Sequence, residues 1–313
     1  MGTVRNVHDR VLAAPAERVG ALLDRLAGAA DPLFPSPAWA PIRFDRPLGV
    51  GACGGHGPVR YSVAEYEPGR RIRFAFDPPA DGFHELSVQP LGPDRCRIRH
   101  VLEQDQPLGE RLGWLLAVRA VHGTVVEELF DNAELAATGS LTRPTRRGRY
   151  VRLLQRLTWD RPEAAEVPAG AALLRTAFPE SDYTDAYALD LRPGLPAAPD
   201  AWEGVLRGTP VVARTQDELL LGEDAGHLDY RASLLLDPEA GKVTLSSVVR
   251  IHNLRGRLYW AVVRHAHPLM ARLMLRRTHR RLALAAPRAA ERASSHLVSG
   301  GMDGASDPVM WKP

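Results

Sequence analysis

Apolar residues set among charged and polar ones open the chain, and 4–13 (VRNVHDRVLA) reads as a first strand. Ala14-Pro15-Ala16-Glu17 then starts a helix, with Pro15 near its first position and Val19, Leu22, Leu23 and Leu26 as its apolar stripe. Pro35, Pro37 and Pro41 mark a loop around Trp39. Short strands follow at 59–66, 71–76, 83–89 and 95–103. Glu67-Pro68-Gly69-Arg70 joins the first pair through a type II turn signal, and PLGPD joins the second. Asp105, Gln106 and Pro107 open a long helix that runs to about Ala137. Strand, helix, antiparallel meander and long helix make an α+β unit.

The second half ends in the same way. Strands are predicted at 186–191, 218–223, 227–236 and 242–252, a short helix at 200–206, and a long helix from about Leu254. Pro268 removes one hydrogen bond from that helix and predicts a kink. In the first long helix stand Arg111-Leu112-Gly113-Trp114 and Val118-Arg119-Ala120-Val121-His122. They align, with one residue of gap, to Arg257-Leu258-Tyr259-Trp260 and Val263-Arg264-His265-Ala266-His267. The short match and the shared order of elements point to a duplication. The domains expected are 1–138, a basic and proline-containing linker over 139–170 with one short helix, a second domain over 171–292, and a disordered tail over 293–313.

A chain of 313 residues, 45% hydrophobic and 25% charged, can bury two ordinary cores. The charged N-terminus lacks the apolar core of a signal peptide, and no run reaches the length of a membrane span, so a cytoplasmic location is expected. Cys53 and Cys96 are too few for a disulfide framework or a cysteine-rich zinc site. Lys242 and Lys312 are the only lysines, so the basic charge is almost all arginine, as a GC-rich genome would give. That charge is concentrated: 255–292 carry ten basic residues and one acidic, and 141–160 carry six and one, while the domain bodies are mildly acidic.

The stretch IRFDRPLGVGACGGHGPVRYSVAEYEPGRRIRF (42–74), with the opening VRNVHDRV, resembles the helix-grip superfamily of polyketide cyclases and START lipid-transfer domains, above all its small actinobacterial members. The resemblance covers roughly 1–138 and implies a cavity between sheet and helix, with no shared catalytic residues. SDYTDAYALDL, LLLGEDAGHLDYRASLLL and VTLSSVVRIHNLRGRLYWAVVRHAHPLMARLMLRR resemble a bacterial domain of unknown function, sometimes fused behind a short-chain-type nucleotide-binding domain, over roughly 173–285. The segment between Trp202 and the 218–223 strand is short for that family, which implies an altered or open pocket there.

Strand alternation places the candidate chemistry. Cys96, Ile98, His100 and Leu102 share one face of their strand, and His84, Leu86 and Val88 one face of the preceding strand. A turn centred near Gly92 would set His84 directly opposite His100. On the closing helix Leu108, Leu112, Leu115, Arg119, His122, Val126 and Leu129 follow helical spacing, beside a stripe of Trp114, Val118, Val121 and Val125. His84, His100 and His122 therefore converge as candidate catalytic residues. Imidazole there suits acid–base work or metal binding, and half-buried histidines satisfied by backbone or water are the plain alternative.

Trp39, Tyr61, Trp114 and Arg119, and in the second domain Tyr230 and Trp260, are candidate ligand-binding residues, with core packing as the alternative for the aromatics. GVGACGGHGP (49–58) leads into a strand rather than a helix, so it reads as a loop or bulge at a cavity mouth, carrying an exposed His56. Leu228, Tyr230, Ala232 and Leu234 should face inward, with His227, Asp229 and Arg231 outside near Arg250 and His252. His265 and His267 point apart and make no metal pair. Arg272, Arg276, Arg277, Arg280, Arg281, Arg288 and Arg292 form a solvated face or, alternatively, a contact for an anionic membrane or nucleic acid.

These readings converge on two tandem helix-grip-like α+β domains, each a curved antiparallel sheet closed by a long C-terminal helix. The expected ligand is a hydrophobic or aromatic small molecule in a sheet–helix cavity. The expected activity is cyclase-like or tailoring chemistry using histidine, the alternative is a non-catalytic carrier, and no cofactor or metal is expected.

Overall fold

The computed structural model of the chain describes residues 2–178 and 180–299, without the side chains of Leu108 and 287–299. The chain forms two compact units, Met1–Trp159 and Asp160–Pro313.

In the first unit β1 (Gly2–Leu12) is followed by α1 (Ala16–Leu23), β2 (Arg43–Phe44), β3 (Cys53–His56), β4 (Val59–Glu67), β5 (Arg71–Phe76), β6 (Asp81–Gly92) and β7 (Arg95–Gln106). The strands make one antiparallel sheet in the order β1-β7-β6-β5-β4-β3-β2. The closing helix has three parts: α2 (Leu108–Gly113), a π-helical stretch (Trp114–Val118) and α3 (Arg119–Thr138). Gly139 ends it in the left-handed conformation, at φ 77°. Val19, Leu22 and Leu23 of α1 and Val126, Leu129 and Phe130 of α3 meet Ile72, Phe74, Leu86 and Ile98 of the sheet in one core. This is the grip of a sheet around a helix expected from the sequence. α4 (Arg149–Leu157) belongs to the same unit, where buried Gln155 Nε2 donates to Ala38 O at 2.8 Å.

Two local expectations change. The glycine-rich stretch 49–58 supplies β3, paired with β2 and β4, rather than a loop. Glycine permits the close pairing: a Cβ at Gly54 would lie 1.9 Å from Arg43 O. The β6–β7 register is also two residues from the one expected, pairing His84 with Leu102 and Leu86 with His100. An irregularity between Pro90 and Gly92 moves the turn beyond Gly92. A slip of two keeps every side chain on its face, where a slip of one would have reversed them.

The second unit contains β8 (Glu163–Ala164), α5 (Ala172–Ala177), β9 (Tyr183–Asp190), a 3-10 turn (Pro199–Val205), β10 (Val211–Arg214), β11 (Glu218–Asp224), β12 (Leu228–Asp237), β13 (Lys242–Ile251) and α6 (Leu254–Ser299). The sheet order is β10-β11-β12-β13-β9-β8, all antiparallel. Leu174 and Phe178, at and just after α5, cover one face through Leu220 and Val248. Trp260 of α6 packs on Leu228 and Val249 of the other. Covered faces on both sides explain the near-continuous apolar runs of β11 and β12. β10 occupies the shortened segment noted before 218–223. α6 passes Pro268 without interruption of the helix.

Candidate functional site

The inner face of the first unit's sheet changes character along its length. At one end it is an ordinary apolar core, with Ile72 and Ile98 fully buried. At the other it carries imidazoles. His100 keeps 7% of its surface, while His84 and His122 are half-buried. The His84 ring lies 5.7 Å from His100, and His100 lies 5.1 Å from His122. The three predicted histidines are thus neighbours, although His84 sits diagonally from His100 rather than opposite it.

Their surroundings are mostly rings. His84 lies 4.6 Å from Tyr61, 4.6 Å from Phe74 and 5.4 Å from Phe76. Trp114, held in a small cluster with Val4 and Leu102, lies 5.6 Å from His122. Tyr61 is fully buried, and its hydroxyl is 3.0 Å from His56 Nδ1. His56 therefore joins the interior group instead of standing exposed, because β3 carries it onto the sheet.

Burial sets the electrostatics. Desolvation, with some help from neighbouring imidazoles, holds His84 and His100 well below the ordinary histidine range. It lowers His56 to about 4 and His122 to about 3. Tyr61 is pushed up, again by burial. At neutral pH the group is a set of uncharged imidazoles, each with one N–H donor and one lone pair. Nε2 of His84, Nδ1 of His100 and Nδ1 of His122 are buried and have no hydrogen-bond partner within the chain. His56, His84 and His122 keep accessible area yet are deeply desolvated. Among the described residues, no three His, Cys, Asp or Glu side chains are grouped as a metal site.

The sequence reading missed His8. It pairs directly with His100 across β1 and β7, and its ring lies 6.4 Å from His122. His8 Nδ1 is 2.7 Å from Glu127 Oε1 on α3. Arg10, two residues on, donates to Glu127 at 2.9 Å, Asp131 at 2.7 Å and Glu134 at 3.1 Å. The alternation of β1 conceals this, because Val7 and Val11 face outward while His8 and Arg10 face the helix. The usable signal was Glu127, Asp131 and Glu134 along one helix face, needing basic partners.

Arg119 is not inside. It lines a shallow surface cleft of about 390 Å³ with His8, Leu115, Ala120, Gly123, Thr124, Glu127 and Thr145. Leu112 and Leu115, read as inward, are 57% and 58% exposed. The cause is the π stretch: one residue is worth about 100° of α-helical rotation, so the inward stripe changes phase where the winding changes. His122, Val126 and Leu129, beyond it, face inward as expected. Trp39 stands apart from the imidazoles, its Nε1 donating to Glu128 at 2.6 Å beneath Arg147.

Tyr230 and Trp260 belong to the second unit. Both join the cluster around Leu228 and Val249, and the Tyr230 hydroxyl lies 3.1 Å from Thr209 Oγ1. His252 meets Asp229 at 2.9 Å on the other side of that sheet. Of the basic stretch, Arg276 donates to Asp160 O at 3.0 Å and Arg272 lies over Tyr187 at 4.7 Å; Arg288 and Arg292 fall in α6 with their side chains outside those described. No helix among the described residues is long and apolar enough to cross a membrane.

Residues 181–274 match the model of a family described as a protein of unknown function, DUF2867, inside the span where the sequence resembled such a domain. No curated protein matches the chain. Among solved structures the chain is similar to a conserved protein of unknown function from Enterococcus faecalis, at 10% identity over 50% of this chain and 82% of that one, with a TM-score of 0.35. It is similar to norcoclaurine synthase from Thalictrum flavum in complex with dopamine and hydroxybenzaldehyde, at 13% identity over 45% and 90% of the two chains, with a TM-score of 0.35. It is also similar to a START superfamily protein from Mycobacterium smegmatis, at 16% identity over 44% and 99%, with a TM-score of 0.30.

Proposed function

We propose that the first unit binds a small apolar or aromatic molecule between its sheet and closing helix, with His84, His100 and His122 as its polar contacts. The observation that carries this reading is the set of buried ring nitrogens without partners on neighbouring imidazoles lined by aromatic rings. Buried polar atoms are ordinarily satisfied, and an unsatisfied one costs about 1–3 kcal/mol. A ligand carrying a carbonyl or hydroxyl would supply the missing partner to one or more of them. Uncharged imidazoles favour a neutral ligand group, since an anion would need one of them to take up a proton against its desolvation.

Quenching of tryptophan emission, with Trp114 beside His122, tests the reading. Neutral aryl ketones and phenols should bind saturably, aryl carboxylates more weakly, and His100→Leu should weaken the neutral ligands about tenfold. Native mass spectrometry of protein from its own host should reveal a co-purifying molecule of that type. Absence of saturable binding across the panel, together with an empty protein, would defeat the reading.

A further inference from the structure

We propose that His8 is a general base acting on the molecule held in the first unit's interior, with Glu127 as its positioning residue. The proposal rests on the interior-binding reading and goes beyond it, from binding to a reaction.

Five histidines stand on the inner side of this unit, and they are not equivalent. Among the described residues the structure gives a carboxylate partner to His8 and to none of His56, His84, His100 and His122. With Nδ1–H donated to Glu127 Oε1 at 2.7 Å, the Nε2 lone pair of His8 is free. That Nε2 is buried and has no partner. The ring rests against Gly123, where a Cβ would lie 3.3 Å from Cε1 and 3.5 Å from Nε2, so the helix is cut away for it. His8 also lines the surface cleft, while its ring is 6.4 Å from His122. It borders both the cleft and the interior imidazoles.

The charged and titratable groups around His8 come from each element packed on it. They are Arg10 on β1, His100 on β7, Glu127 and His122 on α3, and Arg119 at the cleft. An imidazolium formed at His8 would face Glu127. One formed at His84, His100 or His122 would face only other imidazoles and rings. The geometry therefore divides the work: His8 takes the proton, and the uncharged imidazoles donate to oxygen.

The substrate class that fits is an apolar ketone with an acidic C–H beside its carbonyl. His8 Nε2 removes that proton. The C–H electron pair forms the new C=C bond, and the carbonyl π pair moves to oxygen, giving an enolate and an imidazolium paired with Glu127. An N–H of His100 or His122 donates to the enolate oxygen. Return of a solvent-derived proton to the same carbon gives isotope exchange; where the ketone carries a β,γ double bond, the enolate extends to the γ carbon, and return of the proton there gives the conjugated isomer. Nothing is oxidised, and no co-reactant is consumed.

The test uses the full chain and 2-tetralone in deuterated buffer. Deuterium uptake at the activated carbon is followed by mass spectrometry, and binding is read separately by tryptophan quenching. Exchange above the buffer rate is expected, falling about a hundredfold or more in His8→Gln while ketone affinity stays within about threefold. Glu127→Gln should lower kcat with little change in KM, and Glu127→Asp should restore part of the rate. Circular dichroism establishes that each variant is folded. A bound ketone with no exchange, or equal exchange in folded His8→Gln, overturns the role of His8 and leaves the binding reading standing. A ketone that fails to bind the unaltered chain defeats both.

Discussion

The two closing helices set a tryptophan and a histidine in nearly the same relation. Trp114 and His122 have ring centres 5.6 Å apart at 49°, and Trp260 and His267 have theirs 5.5 Å apart at 57°. Yet the first pair is eight residues apart and the second seven. Seven residues bring an α-helix back to the same face, and eight overshoot by most of a right angle. The π stretch Trp114–Val118 absorbs the extra residue in the first helix, while α6 needs no such device. This is the one-residue gap seen when the two sequences are aligned. What separates the sites is their company. His122 stands among uncharged imidazoles with an unpartnered Nδ1, whereas His267 faces Asp185 at 3.4 Å, beside Tyr183. Burial pushes the Asp185 carboxyl up, but His267, Tyr183 and Tyr187 outweigh it and hold it below its usual value.

The comparison is most easily broken at Arg10, which ties β1 to three carboxylates of α3. Arg10→Met should lower the stability of the first unit by about 3–5 kcal/mol in urea unfolding, because Asp131 and Glu134 are left without their cation. A loss under about 1 kcal/mol would mean that the apolar core alone holds the helix. Acid provides the next test. His56 titrates near 4 in the folded unit and near 6.5 when unfolded, so the unfolded chain takes the proton first. Stability is full above pH 6.5 and falls as pH drops towards 4, by on the order of 3 kcal/mol from this residue, with His122 extending the fall towards 3. In the second unit burial lowers His279 to about 4, the one histidine so shifted among the described residues there. The first unit should therefore melt before the second at pH 5, and simultaneous melting at pH 5 and pH 7 would contradict the contrast.

Smaller effects sharpen it. His100→Leu removes a buried, unpartnered nitrogen and should leave stability unchanged or raise it by about 1 kcal/mol, while ligand affinity falls. A stability loss of 3 kcal/mol would show that the imidazole is structural. Deleting Leu116, exposed within the π stretch, should restore seven-residue spacing and change stability by about 1 kcal/mol or less in thermal unfolding. Collapse of the fold would sever the link between the spacing and the π turn.

Much of this was legible in the chain. The period-two pattern of 95–102 placed His100 among inward residues, and the helical period beyond residue 119 placed His122, since both are governed by burial of apolar neighbours. His8 and Arg10 were not legible, because their burial depends on acidic residues more than a hundred positions away. Arg119 was misplaced because a π turn leaves no local signature in a continuous apolar stripe. The strand at 53–56 was read as a loop because its glycines serve close backbone pairing, which periodicity does not register.

The π turn also separates two kinds of change in the closing helix. Up to and across it, Leu112, Leu115 and Arg119 border solvent and the cleft; beyond it, His122, Val126 and Leu129 form the roof over the sheet's imidazoles. A single uniform helix would gear these halves together, so that any reshaping of the rim turned the roof as well. With the winding interrupted, the rim can be remodelled by substitution, or even by a residue gained or lost, while the roof keeps its bearing. A family built this way could vary what it admits without rebuilding the groups that receive it.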